Sequence, residues 1–148
     1  LYPFQKTVSR PDVTLADAKA AARAARGKAP RLSWIEADLA DLGEALPQRF
    51  DLALLAGNVM IFLEPGTEAR VLATLAARLA PAGLLVAGFS IRPGRLSLQR
   101  YDQLAAEAGL DLVARWATWD RRPFTDGDYA VSVHRLGSES TRAMEPDD

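Results

Sequence analysis

Between Phe50 and Gly66 the sequence reads FDLALLAGNVMIFLEPG, and Asn58 is the one side-chain amide in a run that is otherwise almost wholly apolar. A buried amide without partners costs about 1–3 kcal/mol, so this Asn is expected to be bonded, to lie at the surface, or to face a ligand. Gly57 before it lets the backbone approach another group closely, although Gly-Asn is also a plain turn former. The second group suited to chemistry is Asp38, in Trp34-Ile-Glu-Ala-Asp38-Leu39. Its carboxylate can cap the turn before Ala40-Asp41-Leu42 or accept a hydrogen bond from a ligand.

Other reactive types are sparse. His134 is the single histidine, alternating with Ser132 and Ala130 on what reads as the less apolar face of the last strand, and a base needs an oriented neighbour that the sequence does not supply. Ser90 and Ser97 stand in no Gly-x-Ser-x-Gly, so no nucleophile elbow is expected. With no cysteine and one histidine, thiolate and histidine-cluster metal sites are excluded. Asp120-Arg121-Arg122 reads as a solvated turn, Arg23, Arg26, Lys28 and Arg31 as a solvated helix face, and Trp34, Trp116 and Trp119 as core or edge packing.

The 148 residues amount to about one domain. At 49% apolar and 25% charged, with a net charge of −1, the composition is that of a globular chain with no electrostatic call for nucleic acid. The longest apolar run, Leu52–Leu63, falls short of the roughly 20 residues that span a bilayer, so no membrane segment is expected. Absence of cysteine fits cytoplasmic residence. Residue 1 is Leu and no signal-peptide pattern follows, so the expectation is a start inside a longer product.

The elements that must position Asp38 and Asn58 follow from periodicity. Val13–Leu15 reads as a strand, Ala16–Ala29 as a helix ended by Gly27 and Pro30, and Arg31–Glu36 as a second strand. Phe50–Leu55 is a third, apolar throughout as in a parallel strand covered on both faces. Leu72, Leu75 and Leu79 mark one face of a helix opened by Pro65 and Glu68. Leu84–Ile91 is a further apolar strand, Ser97 caps a helix that Gly109 ends, and Leu112–Trp119 and Tyr129–Leu136 form an antiparallel pair. Strand–helix alternation closed by two strands without a helix between them predicts an open α/β sheet with an antiparallel edge. Residues 1–136 are expected to form one partial domain and 137–148 a disordered tail.

Three landmarks in this order resemble the later two thirds of a class I S-adenosylmethionine-dependent methyltransferase: WIEADL at 34–39, FDLALLAGN at 50–58 and LAPAGLLVAGF at 79–89. The last resembles the family's step into its fifth strand, with Ala82 where Gly is commoner. The resemblance implies a Rossmann-like open sheet, mostly parallel with an antiparallel carboxy-terminal hairpin, lacking the first strand and the glycine-rich loop. It implies S-adenosyl-L-methionine as cofactor, held by Ala37, Asp38, Leu39, Ala56, Gly57 and Asn58: Asp38 on the adenine amino group, Leu39 on the base, Asn58 beside the methionine half and the acceptor. Asp12 and Asp17 are both candidates for the ribose hydroxyls. None of the ten glycines stands as Gly-x-Gly, so the turn that holds the cofactor's carboxylate is missing.

The expected function is methyl transfer to a small-molecule acceptor by the full-length protein, with this truncated chain inactive alone. The rival from another class is a non-catalytic α/β module completed by another chain. A nicotinamide or nucleotide-sugar enzyme also needs the absent loop. Without the family's central first strand, the edge of Leu52–Leu55 is left unpaired, which predicts a homodimer or swapped assembly.

Overall fold

The computed structural model describes residues 2–5, 15–43 and 45–137. Its elements run β1 (Tyr2–Gln5), α1 (Leu15–Lys28), β2 (Trp34–Ala37), β3 (Phe50–Leu55), α2 (Glu68–Arg78), β4 (Leu79–Ser90), α3 (Leu98–Glu107), β5 (Leu110–Trp116) and β6 (Tyr129–Leu136), with 3₁₀ turns at Leu39–Asp41 and Val59–Phe62. The first strand is thus Tyr2–Gln5 rather than Val13–Leu15. Leu15, expected to end a strand, instead opens α1, where helix-favouring alanines follow it, and Val13 and Thr14 lie outside the described residues. Of the expected tail, 137–148, Gly137 N–H donates to the Gly109 carbonyl (3.1 Å), and residues 138–148 lie outside the described residues.

The strands form two separate sheets. β1 and β2 pair in parallel, and four strands follow the order β3-β4-β6-β5. Within the four, β3–β4 is parallel while β4–β6 and β6–β5 are antiparallel, so the parallel share is smaller than the sequence suggested. Among the described residues no strand joins β2 to β3, which is where the expected central strand is lacking.

Two helices, α2 and α3, cover one face of the larger sheet. The Oγ of Ser97 accepts from Arg100 N–H (3.1 Å) at the start of α3, as expected, and Gly109 leaves the helix at φ 82°. α2 buries Val71, Leu72 and Leu75, each side chain contributing about 1.5–3 kcal/mol relative to exposure. Beneath them lie Leu55, Leu85, Ala87 and Phe89, in one core with Leu39, Leu42 and Leu46 from the segment after β2. That shared core, and not strand pairing, links the two sheets. The opposite face of β3 is open: Leu52 is 54% and Leu54 39% exposed, so this strand is not covered on both faces as its apolar sequence implied. Ala82 sits at φ 61°, left-handed backbone that disfavours a side chain, which is a physical reason for Gly to be commoner there.

The face of β6 carrying Ala130, Ser132 and His134, read from sequence as the less apolar one, is fully buried, in register with Phe89, Ala87 and Leu85. Polar side chains survive there because α3 and β5 supply partners. Asp102 lies 3.2 Å from His134 Nε2 and accepts two hydrogen bonds from Arg115 (3.0 and 2.5 Å), and Arg115 Nε donates to Ser132 Oγ (3.0 Å). The carboxylate places the proton of a neutral His134 on Nε2, leaving Nδ1 buried without a donor. Tyr101 packs edge-on against that ring at 5.1 Å with its own hydroxyl unpartnered, and burial pushes the hydroxyl pKa up.

Burial holds the His134 pKa below its ordinary value, against the opposing pull of Asp102; Arg115 and Asp111 are the other charges acting on it. The unfolded chain therefore binds this proton more readily, so the stability from a neutral His134 is complete above about pH 6.5 and is lost as pH falls below it. Urea unfolding between pH 7.5 and 5 should show stability falling with acid, and His134→Gln, which keeps a donor for Asp102, should flatten that slope. An unchanged slope in the variant would exclude His134 as the titrating group.

Candidate functional site

Asn58 adopts a left-handed backbone, φ 64° and ψ 25°, which Asn tolerates better than most residues. That conformation turns the chain out of β3 and into the Val59–Phe62 turn, where the Asn58 carbonyl accepts from Ile61 N–H (3.2 Å). Its own N–H donates to the Gly88 carbonyl (3.3 Å), and its Oδ1 accepts from Ser90 N–H (2.7 Å). The amide thus bridges the carboxyl ends of β3 and β4, one of the places where ligands of open α/β sheets bind. Because Ser90 N–H can only donate, the amide oxygen must face it, and Nδ2 is turned the other way. Nδ2 has no partner among the described residues and is not enclosed, so it remains available to donate. The turn former and the ligand-facing amide are therefore compatible in one residue.

Gly57, at φ 82°, has nothing within 4 Å of where a side chain would start, which leaves the turn open to close approach. Ala56 beside it is exposed. Asp38 caps the Leu39–Asp41 turn, Oδ1 accepting from Ala40 N–H (2.9 Å), while Oδ2 has no partner among the described residues. Ala37 is half-buried at the end of β2. Leu39 is 1% exposed and packs into the core, so its side chain offers an adenine no surface in this arrangement. The turns at Ala37–Leu39 and Ala56–Asn58 stand at the ends of strands in different sheets, with no strand pairing between them. Asp17 lies in the first turn of α1 rather than at a strand end, and Asp12 lies outside the described residues. The residues present thus fit the adenine amino group at Asp38 and a close backbone approach at Gly57, whereas no Gly-x-Gly turn exists for the carboxylate.

Next to Asn58 the structure adds an aromatic pair that sequence reasoning did not place. A Cβ on Gly88 would lie 2.5 Å from Trp119 Cζ2 and 2.6 Å from Tyr129 Oη, so these rings rest directly on the β4 backbone. Trp119 Nε1 donates to Tyr129 Oη (2.9 Å). A glycine inside an otherwise apolar strand is a signal of close approach that could have located the contact. Arg23, Arg26, Lys28 and Arg31 are exposed, and so are Asp120, Arg121 and Arg122. The described residues contain no group of three or more acids or histidines placed to hold a metal, and no helix long and apolar enough to cross a membrane.

No known family profile matches the chain, and no curated protein matches its sequence. Solved structures do. A TehB-like SAM-dependent methyltransferase from Corynebacterium glutamicum superposes with a TM-score of 0.67 at 30% identity, over 78% of this chain and 61% of that one. CalS10, an amino pentose methyltransferase from Micromonospora echinaspora with SAM bound, gives 0.63 at 16% identity, over 79% and 70%. The CcbJ methyltransferase from Streptomyces caelestis gives 0.62 at 20%, over 83% and 70%. The chain thus spans about 61% of the length of the Corynebacterium protein. The chain has the fold of the class I S-adenosylmethionine-dependent methyltransferases.

Proposed function

We propose that this chain supplies the acceptor side and the adenine turn of an S-adenosyl-L-methionine-dependent methyltransferase acting on a small molecule, and that it is inactive without a glycine-rich turn supplied from elsewhere. The observation that carries this reading is the Nδ2 of Asn58, fixed outward beyond the carboxyl ends of β3 and β4 by the bond between Oδ1 and Ser90. SAM is bound in one structure of the same fold, the amino pentose methyltransferase. When bound, the cofactor supplies an electrophilic methyl group and with it the difficult chemistry. The chain's own residues then bind and orient: Asp38 Oδ2 accepts from the adenine amino group, Gly57 admits the ligand close to the backbone, and the Asn58 amide donates at the border of the acceptor. Alignment of this kind can supply much of the rate without a dedicated base. The missing Gly-x-Gly favours one rival, a non-catalytic α/β module completed by another chain.

Two measurements decide. Titration calorimetry on the chain as it stands should give a Kd for S-adenosylmethionine above roughly 10 μM, weaker than about −7 kcal/mol; tighter binding would mean that the missing turn is not needed and that the site is drawn wrongly. Asn58→Ala should lower stability by about 1–3 kcal/mol, by removing the Ser90 bond and placing Ala in left-handed backbone. Asn58→Asp keeps an acceptor for Ser90 and should retain most of that stability, yet reduce turnover of the intact protein about tenfold, a loss of about 1.4 kcal/mol for the donor. Full activity in Asn58→Asp would remove the amide from the reaction and leave it a turn residue.

A further inference from the structure

Between the segment after β3 and the loop after β4 lies a cavity of about 340 Å³. Met60, Ile61 and Leu63, from the segment just after Asn58, line it with apolar side chains that are themselves almost fully buried. Facing them is the loop after β4, with Arg95 and Leu96, and beyond it Arg100 in the first turn of α3. The Arg95 guanidinium makes no hydrogen bond or ion pair among the described residues, and Arg100 Nη1 donates only to Gln103 (3.0 Å). Glu68 also borders the cavity, but its Oε2 accepts from Gly66 N–H (2.8 Å) and it forms no ion pair with either arginine. Two guanidiniums against one carboxylate leave the lining with one net positive charge.

A volume of this size suits a small molecule. The planar donor fork of arginine matches a carboxylate, and the apolar floor excludes a fully hydrated ion as the best occupant. From this juxtaposition we infer that the cavity binds a small carboxylic acid with a short aryl or branched alkyl body, its carboxylate on Arg95 and Arg100 and its body against Pro65 and Leu96, over the floor formed by Met60, Ile61 and Leu63. The inference rests on the methyl-transfer reading in one respect: the cavity adjoins the Asn58 turn, so the acid bound there is the methyl acceptor, and the acceptor class is a carboxylic acid.

The test is a methyl-resolved NMR titration of the whole chain with three probes: benzoate, benzamide and inorganic phosphate. Benzoate should shift the methyl signals of Met60, Ile61, Leu63 and Leu96 saturably, and benzamide and phosphate should bind at least fivefold more weakly. Arg95→Gln with Arg100→Gln changes only exposed side chains, so the spectrum should stay dispersed while benzoate binding weakens at least fivefold. Absence of saturable shifts, equal binding of benzamide or phosphate, or benzoate binding unchanged in the double variant would each overturn the assignment. Cofactor binding is read separately, by titrating S-adenosylhomocysteine into the intact protein. Benzoate binding without it would leave the acid site standing and sink methyl transfer, whereas the reverse result would sink the acid site alone.

Discussion

The hydrogen bond from Ser90 N–H to Asn58 Oδ1 determines how the carboxyl end of the four-stranded sheet is built. β3 pairs with β4 alone among the described residues, and their ladder runs from Phe50–Leu79 to Leu55–Ala87. Beyond Leu55 the two chains would separate, since β3 leaves through a 3₁₀ turn while β4 continues to Ser90. Asn58 prevents this by bonding to both Gly88 and Ser90. With the turn anchored, Met60 and Ile61 enter the core, and the loop after β4 closes over them to form the acid-sized cavity. The outward Nδ2, the open Gly57 and the cavity all depend on that one amide.

A second polar anchor serves α3. Arg115, Asp102, His134 and Ser132 bind the helix to β5 and β6 from inside the core, and the buried Nδ1 and Tyr101 hydroxyl are the unsatisfied groups left by that arrangement. Polar networks at this depth specify a unique packing when satisfied and lose stability when partly so. None of this network lies at the strand ends where Asn58 sits, so its role is to hold α3, whose first turn presents Arg100 to the cavity.

Much of this was legible in the sequence. The spacing of Leu72 and Leu75, the Ser97 cap and the Gly109 stop identify α2 and α3, although Leu79, expected on the same helix face, opens β4; Tyr129–Leu136 has its expected bounds. Asn58 was singled out because an amide in an apolar run requires an explanation. Its partner was not legible, because a backbone N–H such as that of Ser90 carries no residue signature. Alternation does not reveal that the His134 face is buried: a strand's polar-looking face can be the inner one when a neighbouring helix brings an Asp to it. Leu15 shows that an apolar residue at the edge of a short strand-like run can belong to the helix whose alanines follow it. The open face of β3 could not be read either, since an apolar strand looks the same whether or not a layer covers it.

The central claim is that the Asn58 side chain is held by its oxygen and presents its nitrogen to the cleft. Its most direct test is the through-hydrogen-bond scalar coupling between the Ser90 backbone ¹⁵N and the Asn58 ¹³Cγ, measured on doubly labelled protein. This account predicts a resolved coupling, with the Ser90 amide protected from solvent exchange while the Asn58 NH₂ protons exchange freely. No coupling, with a freely exchanging Ser90 amide and protected Asn58 NH₂ protons, would show the amide turned the other way and contradict it.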